Sequence, residues 1–318
     1  MAVTLAEAAP LIPDNLQRGV VETFVQNSPV LDRLPIKGIG GNSYSYNTEG
    51  TLPGIAFRGV NEAYTESTGT FNQRSESLVI MGGDADVDKF IVATGSQLND
   101  QKALQTAAKV KAASYKFQET FINGDITVDP KAFDGLKKRL TGSQVLDADV
   151  NGMGPVTAGN DFFDALDALI AQVPGLDGNN GALYANSKII AKIKSAGRRL
   201  GGVEMVREDI TGKRVVQYNG IALLDIGQTA AGADIIGQNE TQGTAAGTAS
   251  SIYAVKFGSD ESDQAVTGLA SNALLYPAAY DLGELQSKPA YRVRIDWYCG
   301  LAVFGGKGAA RLRGVLNS

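Results

Sequence analysis

The segment NSYSYNTEGTLPGIAFRGVNEAYTESTGTFNQRSESLVIMGGDADVDKF, residues 42–90, decides the fold. SYSYN alternates as a strand does, glycines and a proline break up residues 50–60, and residues 71–92 read as a return strand ending in the apolar FIVA. Large apolar residues are thin between Tyr46 and Leu78, so the ribbon has little to pack on itself. Two strands of this length, roughly 50 Å per side at about 3.3 Å per residue, are marginal alone in water. Another surface must complete them, which implies a protein built to grip its neighbours.

Outward from this arm the chain alternates helices and strands. On the N-terminal side Asn15 caps a predicted helix to about Gln26, with Leu16, Val20 and Phe24 on one face; Ser28-Pro29 stops it, and residues 30–41 run extended. On the other side Asn99 or Asp100 caps a long helix to Asn123, with a seam of Ala103, Ala107, Val110, Ser114, Phe117 and Phe121 and with Gly124 as its C-terminal cap. Its alanine-rich seam fits close packing on a sheet or a second helix. DPKAFDGLKKRL then supplies a turn and a basic run, NDFFDALDALIAQV from Asn160 a short amphipathic helix, and GALYA a strand before a helix capped at Asn186 or Ser187. KRVVQYNGIALLDIG reads as two strands about the Asn219-Gly220 hairpin signal. Residues 227–250, rich in Gly, Thr and Ala, read as a surface loop. SSIYAVKFG and ALLYP read as strands, and YRVRIDWYCGLAVFG as two strands about Cys299-Gly300. The fold class is therefore α+β, with a mixed domain over about 125–225.

Composition narrows the chemistry. The 318 residues are 43% hydrophobic and 20% charged, so the chain can bury a core, and a formal charge of -5 argues against a general nucleic-acid binder. With no histidine, Ser-His-Asp and Cys-His catalysis and histidine metal sites are excluded. The single cysteine, Cys299, cannot form an internal disulfide or a cysteine-cluster zinc site and reads as buried packing. No run of about 18 apolar residues occurs, and MAVTLAEAAPLIPDNL lacks the features of a signal peptide, so a soluble protein made in the cytoplasm is expected.

The short motifs have plain readings. Asp84, Asp86 and Asp88 open an EF-hand spacing, but Lys89 stands at the glycine position and Gly95 at the glutamate position; on a strand the three carboxylates share one face, which suits a solvated or base-facing edge. Asp161, Asp164 and Asp167 fall near a helix start, where the dipole favours them. GGKG at 305–308 lacks the first glycine and the Ser/Thr of a phosphate loop, and Asn239-Glu240-Thr241 is a sequon without a secretion signal. Lys188, Lys192, Lys194, Arg198 and Arg199 form the densest basic cluster. A solvated face, salt bridges to an acidic neighbour and phosphate contact remain open for it.

The order of these parts resembles the major capsid proteins of tailed bacteriophages, the Hong Kong 97-type fold also used by encapsulins. The resemblance rests on FINGD at 121–125, Phe133-Asp134-Gly135-Leu136, Ala182 to Asn186, Tyr218-Asn219-Gly220-Ile221, and the stretch from Arg292 through Gly300 to Ala309-Ala310-Arg311-Leu312. It implies an N-terminal arm (1–41), an extended loop (42–90), a spine helix with peripheral domain (91–155), an axial domain (156–270) and return strands of the peripheral domain (271–318). The implied function is a non-enzymatic shell subunit that forms pentamers and hexamers around double-stranded DNA in a virion assembled in the host cytoplasm. The alternative within the fold is an encapsulin-like compartment. An enzyme using carboxylates or a Ser-Lys pair, or a monomeric binding module, are the readings outside it.

Implied partners are other copies of the chain, a separate scaffolding protein, a portal, decoration proteins and packaged DNA held non-specifically, with no membrane, metal or cofactor. Phe57, Tyr64 and Phe71 are the expected anchors of the loop on a neighbour. Arg58, Glu62, Glu66, Arg74 and Glu76 offer it alternating charge, and the basic cluster offers a contact face. Some relatives weld their shells through a lysine in this loop. No lysine lies between Lys37 and Lys89, so a non-covalent shell is expected.

Overall fold

The structure, a computed structural model, describes residues 28–94, 101–148, 159–199, 206–208, 214–241 and 249–316. The helix expected from Asn15 lies outside these residues. In chain order the elements are β1 (Ile36–Ile39), β2 (Ser43–Thr51), β3 (Thr70–Ser77), β4 (Val79–Asp88), α1 (Lys89–Thr94), α2 (Gln101–Asn123), α3 (Leu136–Arg139), β5 (Val145–Asp147) and α4 (Gly159–Ala171). There follow β6 (Gly181–Ala185), α5 (Ser187–Arg199), β7 (Val206–Glu208), β8 (Arg214–Tyr218), β9 (Ile221–Asp225), β10 (Ala249–Lys256), β11 (Val266–Ser271), β12 (Ala278–Glu284), β13 (Ala290–Val303) and β14 (Ala309–Leu316).

The strands form a five-stranded sheet (β1-β11-β13-β12, with β4 on the other side of β13), a seven-stranded sheet (β5-β14-β10-β6-β9-β8-β7) and the β2-β3 ribbon. Sheet membership redraws the sequence boundaries. β4, read as part of the loop, hydrogen-bonds along β13 from Asp88↔Ala290 to Val79↔Cys299. β14 joins the seven-stranded sheet by pairing with β10, and β11 joins the five-stranded one.

The long helix α2 lies on the five-stranded sheet. Its buried seam runs through Thr106, Val110, Ser114, Phe117 and Phe121, while Ala103 and Ala107 are exposed. Phe117 packs 5.2 Å from the Trp297 ring and 5.7 Å from Phe133, so truncating it to alanine would cost about 3–5 kcal/mol. Gly124 ends the helix without the left-handed conformation expected of a cap. A β-carbon there would lie 2.3 Å from the Phe133 carbonyl oxygen and 2.5 Å from that of Thr120. Gly135 crosses the same helix end, donating its N–H to Gly124 O at 2.9 Å, with equally little room for a side chain. FINGD and FDGL are thus two halves of one backbone crossing.

The central strands β6 and β10 of the seven-stranded sheet are buried on both faces, which is why GALYA reads as a continuous apolar run. Ala182 and Tyr184 face the core shared with α2; Leu183 and Ala185 face Leu166, Leu169, Ile189 and Ile193 of α4 and α5. Asn186 caps α5 by accepting the Lys188 N–H at 3.0 Å. Asn219 (φ 50°) and Gly220 (φ 77°) make the tight turn between β8 and β9.

Four local expectations change. FIVA is helical because the Asp88 carboxylate accepts the Phe90 N–H at 2.8 Å and caps α1. Cys299-Gly300 lies inside one unbroken strand, where Gly300 admits Ser77 O, 3.2 Å from where a β-carbon would stand. ALLYP contributes only a bridge at Leu274. The 227–250 segment is more than a surface loop: Ile235 and Ile236 are in the core, and their carbonyls accept from Asn123 Nδ2 (2.6 Å) and Asn186 Nδ2 (3.1 Å).

Candidate assembly interface

The extended loop is fastened at its root and bare at its end. At the root, Arg139 Nη1 and Nη2 donate to Glu76 Oε1 and Oε2 at 2.5 and 2.7 Å, joining β3 to α3. Both side chains are largely shielded, with 9% and 16% exposure, so the pair is stronger than a surface ion pair. The Tyr46 hydroxyl donates to Val303 O at 3.2 Å and lies 3.3 Å from Glu76 Oε1. Burial, followed by the Glu76 charge, pushes this phenol up to about 12. A second fastening runs from Lys37 Nζ to the Tyr44 hydroxyl (3.2 Å), which donates to Glu261 Oε1 at 2.5 Å. Tyr46 meets Phe304 edge to face at 4.9 Å.

The regular ladder is shorter than expected. β2 and β3 pair from Ser43↔Ser77 to Thr51↔Thr70, and residues 52–69 extend beyond them without a ladder. Ser67 Oγ donates to Gly54 O at 2.9 Å, and a turn at Asn61 (φ 67°) reverses the chain. Leu52, Ile55, Phe57, Val60, Tyr64 and Phe71 are all exposed, Ile55 to 97%. Of the expected loop contacts, Arg58 and Glu62 shape the tip itself: Arg58 Nη1 donates to Glu62 O at 3.1 Å, Glu62 Oε2 accepts the Gly59 N–H at 2.8 Å, and the guanidinium stands 5.2 Å from the Tyr64 ring centroid. Glu66 and Arg74 are exposed, whereas Glu76 is committed to Arg139 of its own chain.

The outer face of the five-stranded sheet, opposite α2, carries an ion-pair ladder. Arg294 bonds Asp84 through Nε at 2.7 Å; Arg292 bonds Asp86 at 2.6 Å and reaches Asp84 at 3.1 Å; Lys288 reaches Asp86 at 2.5 Å. The Arg294 hydrogen bonds hold the Asp84 carboxyl below its ordinary value, and those of Arg292 and then Lys288 do so more strongly for Asp86. The base-facing edge expected for these aspartates is formed within the chain. Beyond the ladder, Ile80 (76% exposed) and Tyr298 stand over a cleft of about 220 Å³ with Gly41, Asn42, Leu78, Val79 and Ser271.

The basic cluster is less unified than its spacing implies. On α5, Lys188 is exposed, and Lys192 lies one turn on with its amine shielded and without a hydrogen bond among the described residues, so desolvation lowers its pKa. Lys194 is rotated about 200° from Lys192. The Arg198 and Arg199 side chains lie outside the described residues. Asp167 accepts from the Tyr218 hydroxyl at 2.7 Å, and Cys299 is buried, which pushes its thiol pKa well up. Among the described residues no group of three or more His, Cys, Asp or Glu is arranged to hold a metal, and no helix is long and apolar enough to cross a membrane.

Sequence pattern missed the root fastenings. Arg139 lies 63 residues from Glu76 and Tyr44 lies 217 from Glu261, so no local spacing signals them.

This architecture is the Hong Kong 97-type fold. Within that class the chain is similar to phage major capsid proteins. The family model described as major capsid protein GP7 matches residues 13–154. Among solved structures, the SrpI encapsulin of Synechococcus elongatus PCC 7942 superposes with TM-score 0.67 at 17% identity, covering 100% of this chain and 98% of that one. The capsid of a native GTA particle gives TM-score 0.63 at 12% identity over 91% and 90%. Mycobacterium phage Bobi gives TM-score 0.57 at 14% identity over 98% of each chain. No curated protein matches the sequence.

Proposed function

We propose that the chain is the shell subunit of an icosahedral phage head, assembling into pentamers and hexamers around double-stranded DNA and acting without catalysis. The observation that carries this is the loop of residues 52–69, which presents bare apolar side chains on a root held by two fastenings. A monomer gains nothing from exposing that surface; a neighbour that buries it does.

In this reading the five-stranded sheet with α2 is the peripheral domain and the seven-stranded sheet with α4 and α5 the axial domain. Phe57, Tyr64 and Phe71 anchor the loop on the next subunit, with Arg58, Glu62, Glu66 and Arg74 matching its charges. Contacts are heterologous and close into rings. Lys188 and Lys194, the exposed lysines of the basic cluster, offer contact charge on different faces of α5, and packaged DNA is held non-specifically. A separate scaffolding protein, a portal and decoration proteins complete a head assembled in the host cytoplasm, and the shell holds without covalent links.

The test is to replace residues 53–68 with a short Gly-Ser turn. Circular dichroism should show a folded subunit, and electron microscopy should show no closed shells; normal particles would sink the reading. The full-length match to the SrpI encapsulin supports a second reading, a protein-filled compartment. Nuclease-treated particles separate the two: protected DNA favours the phage head, a co-purifying cargo protein the compartment.

A further inference from the structure

The shell reading leaves open what receives the loop tip. We propose that Phe57 of one subunit seats in the cleft of a second copy formed by Leu78, Val79, Ile80 and Tyr298. This inference rests on the shell reading and adds a specific receptor to it.

Shape supports the pairing. The cleft measures about 220 Å³, larger than the roughly 150 Å³ cavity that accepts a benzene molecule, so a phenyl ring fits. Its walls include Ile80, an isoleucine left 76% exposed on the outer face of a sheet. Phe57 is fully exposed at the far end of the loop.

Geometry excludes the same subunit as donor. The cleft lies at the root of the loop, since Gly41, Asn42 and Leu78 flank its first and last paired residues. Thr51 stands roughly 27 Å from Ser43 at about 3.4 Å per residue of ladder, and the Ser67–Gly54 bond carries the ribbon further out. The root is held by Arg139 and Glu261, so the tip cannot swing back. Occupation must come from another copy, root to tip, which is the heterologous contact that generates rings.

Charge and area agree. Next to the cleft, opposite Gly82, stands Asp296, whose carboxylate makes no hydrogen bond or ion pair among the described residues, and in the loop the Arg58 cation directly follows Phe57. The cations further along, Arg294, Arg292 and Lys288, are already met by Asp84 and Asp86 of their own chain. Phe57 and Tyr64 together offer on the order of 300–500 Å² at about 150–250 Å² per aromatic. Leu52, Ile55 and Val60 bring the loop toward the roughly 800 Å² per partner of a specific interface.

The test is a Phe57→Cys, Ile80→Cys double variant assembled into particles and oxidised. Covalent dimers and longer chains should appear on a non-reducing SDS gel. Either single variant should stay monomeric, because the one native thiol, Cys299, is buried. Particles that form but remain monomeric after oxidation overturn the cleft and leave the shell reading standing; an unmodified chain that forms no particles removes both. If the double variant fails to assemble, threshold concentrations of Phe57→Ala, Ile80→Ala and their combination decide. Each single change should raise the threshold about tenfold, as for an interface hot spot, and the combination should raise it no further. Multiplied effects overturn the proposal.

Discussion

Removing the Glu76 carboxylate tests whether the loop root is fastened as described. In Glu76→Ala, Arg139 loses both of its 2.5 and 2.7 Å acceptors while its side chain stays only 9% exposed. Stranding one member of a buried pair costs about 3–5 kcal/mol, and the residual exposure of both groups places this site near about 3 kcal/mol. At about 2–4 °C per kcal/mol for a large domain, the melting temperature of the unassembled subunit should fall roughly 6–12 °C. Calorimetry on Glu76→Ala, Arg139→Ala and the double variant completes a cycle. The double variant should recover at least about 1 kcal/mol of the summed single losses, since it leaves no stranded charge. Proteolysis within residues 52–69 should stay unchanged in rate, whereas cleavage in β2 and β3 should rise. Strictly additive single effects, or a loss below about 1 kcal/mol, would refute the fastening.

Asp84, Asp86, Asp147 and Asp281 all titrate below the ordinary 3.8 because cationic side chains bond them, so their stabilisation is present above that pH and is lost as the pH falls through the lowered values. Asp84→Asn with Asp86→Asn should therefore flatten the acid limb of a stability-against-pH curve and leave its slope near neutrality unchanged; an unaltered acid limb would contradict this. Gly124→Ala places a β-carbon 2.3 Å from a carbonyl oxygen of the backbone and should destabilise by more than about 2 kcal/mol in chemical denaturation, whereas a neutral result would mean the crossing is looser than drawn. Mature particles boiled in SDS should run as single subunits; a ladder of linked chains would refute non-covalent closure.

Helix α2, the hairpin at Asn219-Gly220 and the Asn186 cap were legible in the sequence because each depends on neighbours within about four residues. The shared face of Asp84 and Asp86 on β4 was legible as a solvated or base-facing edge, since strand alternation alone sets it, whereas Asp88 caps α1 instead. Which bases they meet was not, because Arg292 and Arg294 lie more than 200 residues away. Glycine was the main source of error. At 124 and 300 it makes room for another backbone, and a sequence pattern cannot distinguish that from a cap or a turn. The cleft by Ile80 was not legible, because it is assembled from four separate stretches of chain.

β13 has a consequence for how the subunit comes into being. It is the strand on which β4, β11 and β12 all pair, and it spans Ala290–Val303, after all three of them in the chain. Until those residues leave the ribosome, β4 has no partner, Trp297 is missing from the core, and Val303 is not there to receive Tyr46. Such long-range closure is slow, and in a chain made from its N-terminus it must wait for β13. The extended loop is translated well before β13 but gains a fixed direction only once β13 has been made and Val303 can receive Tyr46.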